Sequence, residues 1–206
     1  MTDFTSQDLT GARFEDVYLT NAQFHDVVLA GARFRWVDVA PLVEAELNRR
    51  YPDRVKMRPS DAAGYREAWD SLERLWGETV ERARGLDPEL LHERVDGEWS
   101  FIETLRHLVF ATDAWVRRAF LGEPSPWDPL GLPHDEMPAS TPVPRDRDAR
   151  PSLDEVLALR ADRMGTVRRV FAALTDAELA GMTVPVTAAG FRSRRASRCA
   201  AAWARS

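Results

Sequence analysis

The chain has one cysteine and four histidines among 206 residues, and Lys56 is the sole lysine among 28 basic side chains. Each scarcity removes a class of protein. Cys199 closes no disulfide within the chain and supplies no cysteine-cluster zinc site, which leaves the cytosol as the simplest compartment. Nowhere do about 20 apolar residues run together, and the opening MTDFTSQDLT has neither a basic nor an apolar leader region. No membrane partner is therefore expected. The arginine bias fits GC-rich codons better than any one binding surface. A formal charge of -5 has the wrong sign for a general phosphate binder, so nucleic acid is not an expected partner either. That charge is uneven, because residues 192–206 hold five arginines and no acid.

What the chain does have is a repeat. Phe4, Leu9, Phe14, Leu19, Phe24, Leu29, Phe34 and Val39 recur every five residues, and Ala12, Val17, Ala22, Val27, Ala32 and Val37 stand two places before them. Neither 3.6 nor 2 divides that period, so residues 1–40 are neither an amphipathic helix nor a strand. A square-sided coil fits, one pentapeptide per side, with the large and small apolar residues inward. The strings LTGARF, LTNAQF and LAGARF resemble the pentapeptide-repeat family. The resemblance implies a right-handed β-helix with four repeats per coil, hence about two coils here. So short a stack reads as a structural cap, since solenoids gain their core from stacking.

From Pro41 the pattern turns helical. Tyr65, Trp69, Leu72, Trp76, Val80 and Ala83 trace a first long helix after Ser60 as its cap. Ser100 and Glu103 form a capping-box pattern ahead of Phe101, Leu105, Leu108, Thr112, Trp115 and Ala119, the stripe of a second helix that ends by Gly122. Residues 122–151 are rich in proline and read as a long crossover loop. Ser152 and Glu155 repeat the capping box before Leu153, Leu157, Ala161, Met164, Val167, Phe171 and Leu174, a third helix. Thr183 to Phe191 reads as an extended piece. Three such helices with a long crossover point to a mainly α fold, a four-helix bundle whose fourth helix should begin near residue 195.

The residues there, RSRRASRCAAAWARS, lack an apolar stripe, so the fourth helix reads as missing or replaced. The expected organisation is a repeat segment over 1–40, a truncated helical domain over 41–191 and a basic tail over 192–206. A basic arm for an acidic partner would explain that tail. So would out-of-frame translation of a GC-rich gene, which better fits the abrupt change after Phe191. An open apolar groove also favours self-association, so a homodimer is an expected partner state.

No two histidines lie three or four residues apart. His25 falls on an outward repeat position, His92 in the link before the second helix and His134 in the proline-rich loop. All three are expected in solvent. His107 lies beside the apolar stripe of the second helix, on a flank with Ser100, Thr104, Ala111 and Ala114, where small neighbours leave space.

DGEWSFIETLRHLVFATDAW, residues 96–115, resembles the DinB-like superfamily, as does PLGLPHDEMP, residues 129–138. The resemblance implies a divalent metal, zinc or nickel, held by one histidine of the second helix and an H-x-x-x-H pair on the fourth. His107 matches the first ligand. The pair has no counterpart, because no histidine follows His134. Three neutral imidazoles would leave an open position where a low-molecular-weight thiol binds as thiolate for transfer or isomerisation, mycothiol in actinobacterial relatives. The expected function is thus a metal-dependent thiol S-transferase or isomerase lineage, impaired in this chain. A non-catalytic scaffold using the coils and the open groove is the alternative.

Overall fold

The computed structural model describes residues 4–139 and 142–181. Expectations for Thr183 to Phe191, the fourth helix and the 192–206 tail therefore lie outside the described residues. The chain divides after Leu47 into two compact units.

In the first unit the five-residue period is written in the backbone as corners. Ser6, Gly11, Asp16, Asn21, Asp26, Gly31 and Trp36 all have positive φ, between 49° and 78°. Side chains normally forbid that region, and glycine, asparagine and aspartate tolerate it best, which is why those types fill most corners. Every second corner is closed by a turn, Ala12, Ala22 and Ala32 donating their amides to Leu9, Leu19 and Leu29 at 2.9–3.0 Å. Among the described residues the only strand pairing is a hairpin, β1 (Arg33–Phe34) against β2 (Val37–Asp38), with Phe34 opposite Val37. The apolar residues of the repeat are less enclosed than their inward placement suggests. Phe4, Phe14 and Phe24 are 58–59% exposed, against 97% for Tyr18. A stack of so few units covers each ring on one side at most.

α1 (Ala40–Arg50) starts with Pro41 in its first turn, where a missing amide costs nothing. A short α2 (Asp53–Lys56) follows and is tied to α3 (Ala62–Arg84) by ion pairs of Asp53 with Arg74 and of Lys56 with Glu67. The cap of α3 is Asp61, one residue beyond the expected Ser60. Its extended backbone lets the carboxylate accept the Gly64 amide at 2.7 Å. A 3₁₀ turn (Pro88–His92) leads to α4 (Phe101–Thr112), and both expected capping boxes are present, Ser100 with Glu103 and Ser152 with Glu155. α5 (Leu153–Ala173) and a short α6 (Asp176–Leu179) complete the described elements.

α4 does not stop at Thr112. Asp113–Phe120 continues it as a π-helix, with Leu121 donating to the carbonyl of Val116 five residues back. The contacts set the directions. Tyr65 and Trp69 meet Phe171 while Arg84 meets Asp154, so α3 and α5 are antiparallel. Ile102 and Leu105 cluster with Val156, and Val116 with Val167, so α4 and α5 run the same way. Parallel neighbours need a return as long as the helix, about 30 Å for twenty residues, and the crossover loop supplies it. Two apolar clusters result, one around Tyr65, Trp69, Val116 and Phe171 and one around Leu91, Ile102, Leu105 and Val156.

A charged layer lies between them. Asp113 has no exposed surface and receives Arg163 through two bonds, 2.9 and 3.1 Å, with Arg117 adding a third at 3.1 Å. Three residues earlier on α5, Arg160 is only 5% exposed and its one partner is the ring face of Trp76, 5.9 Å away. Burial pushes its guanidinium down to about 10.

Candidate functional site

The site grows from the N-terminal half of α4. Trp99 stands just before the Ser100 cap, and His107 follows two turns later. Against them lies the crossover loop, held by Arg106, which is 1% exposed. Its guanidinium donates to the carbonyls of Leu130 and Ala149 at 2.9 Å, and to that of Asp146. In return Leu132 donates its amide to the Arg106 carbonyl at 3.2 Å. Gly131 makes the close approach possible: a Cβ there would sit 3.1 Å from the Asp128 carbonyl and 3.5 Å from the Phe110 side chain.

His107 is half-buried, as its flanking position predicted. Its Nδ1 lies 2.9 Å from the Leu132 carbonyl. A carbonyl only accepts, so Nδ1 carries the proton and Nε2 keeps its lone pair. Burial holds this imidazole below its ordinary range, the Leu132 hydrogen bond pulling the other way, so it is neutral at neutral pH. The Trp99 ring is 4.7 Å from that of His107.

His134, expected in solvent and remote from α4, is exposed but stands beside His107, the ring centroids 6.4 Å apart. Trp99 touches both, its ring 5.8 Å from His134. Trp99 also donates its indole N–H to Asp135 at 3.0 Å, and Arg147 pairs with the same carboxylate. The remaining histidines stand apart. His25 is exposed beside Gln23, and His92 ends the 3₁₀ turn, lowered by burial. Among the described residues no three His, Cys, Asp or Glu side chains gather as a metal cage.

Sequence reasoning missed His134 because a loop without periodicity says nothing of where it returns. The motif signal was nonetheless present: the two segments that resemble one family, 96–115 and 129–138, are the two that meet here. It also missed the Asp113 and Arg163 pair, which a helical wheel places on the buried stripe of each helix.

No helix among the described residues is long and apolar enough to cross a membrane. Residues 2–38 match the pentapeptide-repeat family model in eight copies, the count the five-residue period gives. Neither a search of curated proteins nor one of solved structures yields a match. Residues 71–205 match the family model of the DinB superfamily, a span that contains α3 from Ser71, His107, the crossover loop and α5 and runs on across the basic tail. On that match, with the capped helices and the long crossover that carry it, the chain belongs to the DinB superfamily.

Proposed function

We propose that the helical unit belongs to the metal-dependent thiol S-transferase and isomerase lineage, with His107 as a metal ligand and a low-molecular-weight thiol as the second reactant. The observation that carries this is the posture of His107, whose Nδ1–H is fixed on the Leu132 carbonyl while Nε2 is left as a neutral donor. Metal-bound histidines are held in that way, because the outer hydrogen bond sets the tautomer and the ring direction.

The donor set fits such an ion in part. His107, and beside it His134, would hold zinc or nickel, which would supply the positive charge that keeps a bound thiol as thiolate. The chain's own residues do the positioning. Arg106 pins the loop, Leu132 orients the imidazole, and Trp99 packs on its face. With no histidine after His134 in this sequence, turnover is expected to be weak.

Cobalt(II) in place of zinc tests the reading on the full chain. Adding a small thiol to the cobalt-loaded protein is expected to raise a thiolate-to-metal absorption band that His107→Ala abolishes. A chain that binds cobalt equally well without His107, or shows no thiol-dependent band, contradicts it.

A further inference from the structure

We propose that His134 shares the cation of His107, so that one imidazole from α4 and one from the crossover loop form a two-histidine site for a borderline divalent ion such as zinc or nickel. This rests on the reading of His107 as a ligand and extends it to a residue no helix carries.

The distance allows it. Two imidazoles on one ion, each nitrogen at about 2.0–2.1 Å, place their ring centroids roughly 5 to 6.5 Å apart, and the two rings here are 6.4 Å apart. The placement is built rather than accidental. The carbonyl that orients His107 belongs to Leu132, two residues before His134, so one short piece of loop sets both rings. Pro133 between them fixes its own φ, and Leu132 and Pro133 are both fully buried. On the far side Asp135 is fastened by Trp99 and Arg147. His134 is therefore held from both directions although its ring is exposed.

Competing donors nearby are already engaged. The Asp135 carboxylate serves Trp99 and Arg147, and Glu103 serves Arg94 and the Ser100 cap. His134 makes one long bond, accepting the Glu136 amide on Nδ1 at 3.3 Å. Ligation through Nε2 moves its proton to Nδ1 without a change of charge, and the Glu136 amide, being exposed, turns to water at little cost. Borderline ions take neutral imidazole readily, whereas magnesium and calcium prefer oxygen.

Calorimetric titration of the full chain with zinc, and separately with nickel, tests this in three proteins: the parent, His107→Ala and His134→Ala. Melting curves without metal check that each variant folds, and an exposed His134 should leave that curve unchanged. One ion per chain is expected in the parent. Each substitution should weaken it at least about tenfold, the loss that even an outer partner of a ligand produces. If His107→Ala loses the ion and His134→Ala does not, the shared site is wrong while the reading of His107 stands. If both variants bind as the parent does, or the parent binds neither ion, both readings fail.

Discussion

Two arginines on one turn of α5 face opposite energetic situations. Arg163 meets a carboxylate that has no exposed surface, and its removal would leave Asp113 buried with only Arg117 beside it. Stripping one partner from a buried pair costs about 3–5 kcal/mol, so Arg163→Met is expected to lower the melting temperature sharply. Arg160 is buried without a carboxylate, its charge answered by an indole face alone. Desolvation of a lone guanidinium outweighs a cation–π contact of about 2 kcal/mol. Arg160→Met should therefore leave the protein as stable or raise its stability by roughly 1 kcal/mol, which denaturant unfolding of the two variants would read. In the first unit, Arg35 and Trp36 occupy a two-residue hairpin turn with φ of 46° and 71°. Such a turn favours Asn-Gly. Trp36→Gly should relieve about 1–2 kcal/mol of strain and slow hydrogen exchange at the hairpin amides. Glu103 gives a pH signature. Its hydrogen bond with Arg94 holds the carboxyl below its usual range, with the Ser100 cap adding to the effect. A lowered carboxylate stabilises fully above its unfolded value of 4.5 and loses that contribution as pH falls through the folded one. Acid unfolding curves should show a smaller loss below pH ~4.5 for Glu103→Gln than for the parent.

At the scale of elements, what could be read from sequence was what is local. The boxes at Ser100 and Ser152 mark α4 and α5 because the cap and its partner lie three residues apart and recruit no distant group. The same pattern at Thr175 and Glu178 opens α6 and was legible but passed over. The continuation of α4 as a π-helix was not legible, because the stripe from Phe101 to Ala119 fits an ordinary helix. The widened turn follows the fully buried Asp113, where a charged group at a core position must find Arg163 on another helix. The crossover is where local rules fail altogether. Its prolines forbid a helix, but nothing in their spacing reveals that Arg106 gathers three of its carbonyls. Half of the candidate site, His107, was thus visible from its helix face, and the other half, His134, depended on that return. Gly131→Ala tests the return directly. The added methyl group meets the Asp128 carbonyl, so the loop must shift from α4. Hydrogen exchange at the Leu132 amide should speed up while the α5 amides keep their protection.

For the whole molecule the account joins a repeat segment, whose identity rests on its corners, to a helical unit whose identity rests on capped helices, a crossover and His107. The expectations that reach furthest, the fourth helix and the tail, fall outside the described residues, yet the superfamily match continues to residue 205. The central claim is that His107 anchors a divalent metal in this unit. An ion that binds only the folded chain raises its stability by about 2.7 kcal/mol at a hundredfold excess over Kd, and each kcal/mol moves the melting temperature by roughly 2–4 °C in a domain of this size. Melting the full chain with and without zinc, beside His107→Ala, is the most direct measurement. The account predicts a rise of roughly 5–10 °C in the parent and none in the variant; an equal rise in both, or none in either, would contradict it.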